Sequence, residues 1–143
     1  AVVFLYPGDD EGSDAQLDAL LNEMPRPSAV AVVTTYPTNP EVRPWGRRVL
    51  SRGFVVLVHA MTGTRLRYYN GITGYPTALI RSIPITTDSF AYQMQALVRL
   101  IRAGTPVLEV PVTISPRVAG RSHALRLRNV WGVGGALWAV RAR

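Results

Sequence analysis

Cysteine and lysine are both missing from this 143-residue chain, and histidine occurs only at His59 and His123. Without cysteine there is no disulfide scaffold, no thiolate zinc site and no thiol nucleophile. The two histidines are too far apart in sequence to form a paired-ligand motif. Charged residues make up only 17% of the chain and hydrophobic ones 48%, so the composition is that of a folding domain and not of a disordered segment. No uncharged run reaches the roughly 18–20 residues that a membrane-spanning helix needs.

What charge there is has a pattern. All 16 basic residues are arginine, the net charge is +7, and six of the nine acids fall between Asp9 and Glu23. An acidic start facing a basic remainder suits a site that holds a cation and phosphates together, and it also suits an RNA-binding surface. Nothing beyond charge supports nucleic acid, so it is not an expected partner.

The opening run Ala1–Leu5 is apolar and β-branched, as in a fully buried strand. Such a strand needs neighbours on both sides. Residues 1–143 are therefore expected to be one unit, the C-terminal portion of a larger domain. Tyr6–Gly12 is a turn-rich acidic loop, and Ser13 with Gln16 forms a capping box. Leu17, Leu20, Leu21 and Met24 follow at helical spacing until Pro25 and Pro27 stop the helix. Ala29–Thr34 is a second buried strand. Strand, helix, strand predicts a parallel crossover unit, with the acidic loop at the carboxyl end of the first strand, where open α/β sheets bind ligands.

Thr35–Pro44, with three prolines, is expected to lack regular structure. A helix is predicted from Trp45 to about Met61, a strand over Arg65–Asn70 and a short helix over Pro76–Ile83. The strongest helical pattern is Phe90, Met94, Leu97, Val98 and Ile101, capped by Thr87 or Asp88 and ended by Gly104. Val107–Ile114 predicts a strand, and Ser122 begins a last helix running into Trp138. His59 is expected to sit on its helix without a partner. Trp131 and Trp138 can pack into the core, the reading preferred here, or rest on a bilayer surface.

Asp9-Asp10-Glu11, after a buried strand and on a Pro-Gly turn, has the carboxylate chemistry to hold magnesium or manganese against diphosphate oxygens. The same cluster can instead be a solvated loop favouring the next helix N-terminus. The run Phe4–Glu11 resembles the metal-binding acidic motif of family-2 glycosyltransferases, and in particular of the polyprenol-phosphate sugar transferases. The resemblance continues in order along the chain. Arg47–Arg52 is similar to that family's arginine–serine helix and Tyr69–Ile72 to its acceptor-side turn. Phe90–Leu97 matches its long helix, and Gly104 through Glu109-Val110-Pro111-Val112 its glycine and Glu-Val-Pro strand. Arg117–His123 resembles its Arg-x-x-Gly-x-Ser-Lys loop. Departures are Pro7 for the first aspartate of the usual triplet, Thr35 for an arginine, Gln95 for a glutamate and His123 for a lysine. The part that cradles the donor base and ribose has no counterpart here.

The resemblance implies an α/β chain with a GT-A-like mixed sheet flanked by helices. It implies metal-dependent, inverting transfer from a nucleotide-sugar donor to a polyprenyl-phosphate or similar acceptor, peripheral to the cytoplasmic face of a membrane. Asp9 and Asp10 would hold Mg2+ or Mn2+. Arg47 and Arg117 would grip phosphate in forked geometry, with Ser51 as a supporting donor. Asn70, Gln93, Gln95, Ser122 and His123 would contact substrate. Asp88 would serve as base for a hydroxyl acceptor, or else simply cap its helix. Arg48, Arg52 and Arg121 are expected to be surface charges, and Glu109 a structural residue. The alternative is a non-catalytic phosphate- or sugar-binding module derived from such an enzyme.

Overall fold

The computed structural model describes residues 2–5, 14–23, 31–89, 91–115 and 127–141. In chain order the elements are β1 (Val2–Leu5), α1 (Asp14–Glu23), β2 (Val32–Pro37), a single 3-10 turn (Pro40–Val42), α2 (Trp45–Thr62) and β3 (Thr73–Pro76). There follow α3 (Thr77–Ser82), α4 (Tyr92–Arg102), β4 (Val107–Val112) and α5 (Leu127–Arg141).

The four strands form one mixed sheet in the order β1-β3-β2-β4. β3 pairs antiparallel with both β1 and β2, while β2 and β4 run parallel in register from Val32 opposite Val107 to Pro37 opposite Val112. The chain is therefore α/β as expected, with one correction. The two strands of the anticipated crossover unit do point the same way, with β3 between them, but β1 is an edge strand among the described residues, with Val2 and Val3 exposed, and not the fully buried strand expected. A strand of sequence Thr-Gly-Tyr-Pro carries both residues that usually weaken a strand, which hid it from pattern reading.

β2 is covered on both faces, with Val32 through Thr35 all buried. Its period-two alternation sends neighbouring side chains to opposite sides. Val32 joins Val58, Tyr69, Tyr75, Met94, Leu97 and Leu137 in the larger core. Val33 joins Leu20, Ile72, Val110 and Val112 in a smaller one with Phe4 at its edge. Each large apolar side chain so buried contributes about 1.5–3 kcal/mol. Between the two cores a polar seam ties β2 to β3: the Thr34 and Thr73 hydroxyls lie 2.8 Å apart, and the Thr35 hydroxyl donates to the Ile72 carbonyl.

The ends of the long helices follow from their sequences. Pro44 precedes α2, and Gly63, with φ of 73°, ends it by donating its N–H to the His59 carbonyl. Gly104, with φ of 82°, ends α4. Both are left-handed positions where glycine has no Cβ to clash. Arg102 at the end of α4 donates to the Thr62 carbonyl of α2 and to the Val140 carbonyl of α5, so one guanidinium closes two helix C-termini.

Several expectations fail for local reasons. Arg65–Asn70 is not a strand: Leu66 and Tyr69 turn into the core, and the Glu109 side chain takes the Arg67 N–H at 2.6 Å. Thr35–Pro44 is partly regular, since β2 extends to Pro37 and Pro40–Val42 forms the 3-10 turn. Neither Thr87 nor Asp88 caps α4, whose flanking residue is Ala91. The Thr87 hydroxyl instead accepts from the Ser89 N–H, and the Ser89 hydroxyl from the Ala91 N–H. His59 has a partner, the Leu66 carbonyl at 2.9 Å from Nε2, and its ring meets the edge of Tyr69. Trp131 and Trp138 are not core; both stand in solvent.

Candidate functional site

A cleft of about 420 Å³ opens at the carboxyl end of β2. One wall is the end of β2 (Tyr36, Pro37) with Pro40 and Arg43 behind it; another is the loop at Arg67 and Tyr68. The third is α2, from which Arg48, Ser51, Arg52, Val55 and Val56 line the cavity. Among the described residues the lining holds four arginines and no acid.

The arginines are of two kinds. Arg43 and Arg67 are braced on aromatic rings. The Arg67 guanidinium carbon lies 4.7 Å from the Tyr36 ring centre, and its Nη1 donates to the Tyr36 hydroxyl at 2.8 Å. Arg43 stands 5.4 Å over the Tyr68 ring and donates to its hydroxyl at 3.2 Å. Each stacking contributes about 0.5–1 kcal/mol at an exposed site and, more usefully, fixes the guanidinium plane. The Glu109 carboxylate holds the Arg67 backbone, which sets that brace and gives Glu109 the structural role expected of it.

Arg48 and Arg52 sit one turn apart on α2, and among the described residues no hydrogen bond or ion pair engages either side chain. Like charges at this spacing destabilise a helix by about 0.2–0.5 kcal/mol. An anion placed between them removes that repulsion. Guanidinium forks bind phosphate oxygens in pairs, and Ser51 of the same helix lines the cavity with them.

The anticipated site residues divide into three groups. Ser51 lines the cleft. Arg48 and Arg52, taken from sequence as surface charges, line it too, whereas Arg47 is half-buried on α2 outside the lining. A second group is engaged internally. Gln95 is fully buried, its Oε1 accepting the Thr86 N–H at 2.8 Å and its Nε2 donating to the Thr86 hydroxyl at 2.9 Å. Buried Gln93 donates to the Gly71 carbonyl. Asn70 lies beside it with a buried Oδ1 that has no partner among the described residues. Asp88 is exposed in the loop before α4, away from the cleft lining. Third, Asp9, Asp10, Arg117, Ser122 and His123 lie outside the described residues.

Among the described residues, no three His, Cys, Asp or Glu side chains gather into a metal site. The cation expectation therefore rests on Asp9 and Asp10. Sequence reasoning missed Tyr36, Arg43, Arg67 and Tyr68. Tyr36 and Arg67 are 31 residues apart, so no local spacing announces their pairing.

Burial raises the pKa of Tyr75 far above its ordinary value, and its hydroxyl has no partner among the described residues. Tyr69 and Tyr92 are raised for the same reason, with the Glu109 carboxylate adding slightly at Tyr69. All three stay neutral donors at physiological pH.

Comparison with protein-family models, with curated proteins and with solved structures gave no match.

Proposed function

We propose that this chain carries the acceptor-binding part of an inverting sugar transferase of the family-2 type, acting on an acceptor that presents a phosphate, such as a polyprenyl phosphate. The observation that carries the reading is the cleft at the end of β2, whose described lining holds no acid and in which Arg48 and Arg52, without a side-chain partner among the described residues, join braced Arg43 and Arg67. Val56 lies on the rim and is itself exposed, so a ligand with an anionic head and an apolar tail meets matching surface at both ends.

In this reading a phosphate oxygen attacks the anomeric carbon of the sugar. The new bond is oxygen to carbon, the bond broken is carbon to diphosphate oxygen, and the nucleoside diphosphate departs. Because the nucleophile is already an anion, no side chain has to take a proton, and Asp88 is not needed as a base. The arginines and Ser51 hold the acceptor and fix its line of approach, which is where most of the rate gain of such a reaction arises. Asp9 and Asp10 would hold the divalent cation, whose charge offsets that of the departing diphosphate.

The test is transfer from a nucleotide sugar to a short polyprenyl phosphate with magnesium, using the chain with its natural flanking sequence. Arg48→Ala with Arg52→Ala is expected to raise the acceptor KM about tenfold or more while leaving the donor KM alone. Asp9→Ala with Asp10→Ala is expected to abolish turnover; full activity in that variant would remove the carboxylates from the mechanism. One observation favours a second reading, a binding module without turnover. Gln95, which stands where the resembling family has a glutamate, has both amide ends engaged by Thr86. Acceptor binding without transfer under any metal would select it.

A further inference from the structure

The polar side chains that line the cleft, among the described residues, are nearly all donors. Guanidinium groups carry N–H bonds and no acceptor, and Arg43, Arg48, Arg52 and Arg67 all stand there. Each of the two phenols already accepts from a cation. Tyr36 takes the Arg67 Nη1 at 2.8 Å and Tyr68 the Arg43 Nη1 at 3.2 Å, which leaves the O–H proton as what each phenol most readily offers. Ser51 is the one side chain of the described lining that can still accept, and as a neutral hydroxyl it donates equally well. The acids of the adjoining elements stand elsewhere. Glu41 of the 3-10 turn is outside the lining, and so is Glu109 of β4, whose carboxylate holds the Arg67 N–H.

We infer that the cleft selects an oxyanion head that carries no proton of its own. It takes the doubly ionised form of a phosphate monoester, or a sulfate ester, in preference to a singly protonated phosphate. This deepens the phosphate reading given above and rests on it. A P–OH group brought among these side chains meets hydrogens where it needs an oxygen, and a donor that leaves water without gaining an acceptor is costly. Charge works in the same direction, because the dianion brings a second negative charge to the guanidinium groups. The consequence for transfer is direct: the cleft takes up its acceptor already without the proton that a base would otherwise have to remove.

The test is calorimetric titration of hexyl phosphate and hexyl sulfate, two ligands of one shape, at about pH 8 and about pH 5, on either side of the second phosphate ionisation near about pH 6. Hexyl sulfate carries no proton at either pH, so it registers any titration of the protein itself. The described lining holds no histidine or acid; His59 stands behind it, with Nε2 2.9 Å from the Leu66 carbonyl. Hexyl sulfate is therefore expected to bind equally at both. Hexyl phosphate is expected to weaken about tenfold at the lower pH, following its dianion. The two ligands then exchange order: phosphate is the tighter at the higher pH, and sulfate at the lower, where both carry close to one charge and only phosphate a proton. Arg48→Ala with Arg52→Ala should weaken both about tenfold or more. The inference is overturned if hexyl phosphate stays the tighter ligand at the lower pH, or if the double variant binds as the parent does. A parallel change in hexyl sulfate would put the titration in the protein, at His59, and overturn it equally. A parent that binds neither ligand removes the phosphate reading as well, whereas the wrong order of ligands removes this inference alone.

Discussion

Along α4, two glutamines lie buried in the packed face, whereas along α2 a tryptophan, valines and leucines stand in solvent. The helices are near neighbours in sequence and both pack against α5, yet they place polar and apolar groups in opposite ways. α4 is shaped by demands inside the molecule. Gln93 satisfies the carbonyl of buried Gly71, and the fully buried Gln95 finds partners for both amide ends in the N–H and hydroxyl of Thr86. Nothing inside the molecule calls for the outer face of α2, and its cleft-side arginines gain no partner among the described residues. The contrast separates a helix that completes the fold from a helix that serves what the fold meets.

That contrast can be broken most severely at the loop that Gln93 holds. A Cβ at Gly71 would sit 2.0 Å from the Thr35 carbonyl oxygen and 2.7 Å from its hydroxyl. Backbone cannot yield as a side-chain tip can, so Gly71→Ala should cost about 3 kcal/mol or more and leave little folded protein by circular dichroism. Next comes Gln95→Ala, which leaves a cavity and strips Thr86 of both partners. A loss of about 2–4 kcal/mol is expected in urea denaturation.

Tyr75→Phe tests the hydroxyl that has no partner among the described residues. Removing it should shift stability at neutral pH by no more than about 1 kcal/mol, in the direction of a gain. The effect grows in alkali. Tyr75, Tyr69 and Tyr92 have folded pKa values raised above the unfolded value near 10, so the unfolded chain loses protons first. Their contribution is complete below pH 10 and is lost as pH rises beyond it. The parent should therefore lose stability above pH 10 more steeply than Tyr75→Phe; equal slopes would contradict the burial account. The smallest effect belongs to α2: Val56→Ser or Trp45→Ser should change stability by no more than about 0.5 kcal/mol, because neither side chain is packed. A large loss would mean that the outer face belongs to the core after all.

Much of the frame was legible in the sequence. α2 is bracketed by Pro44 and Gly63, α4 has its apolar period and Gly104, and β4 carries three valines in six residues. β3 was not legible, because strand propensity is overridden where a Gly and a Pro can sit between two established strands. The alternation in Arg-Leu-Arg-Tyr-Tyr misled for the converse reason. That segment finds no strand to pair with and is held by a histidine ring and a glutamate from elsewhere. Tryptophan exposure was hidden because α5 is apolar nearly all round and hydrophobicity alone does not say which side of α2 is covered. At the cleft, Ser51 was found by its helix, but the arginine–tyrosine braces join distant segments and leave no spacing to read.

The most direct measurement is calorimetric titration of geranyl phosphate into the parent chain, into Arg48→Ala/Arg52→Ala, and into Arg81→Ala, which alters an exposed arginine of α3 outside the cleft. The account predicts salt-sensitive binding that weakens about tenfold or more in the double variant and is unchanged in the control. Equal affinity in all three proteins, or none in the parent, would contradict it.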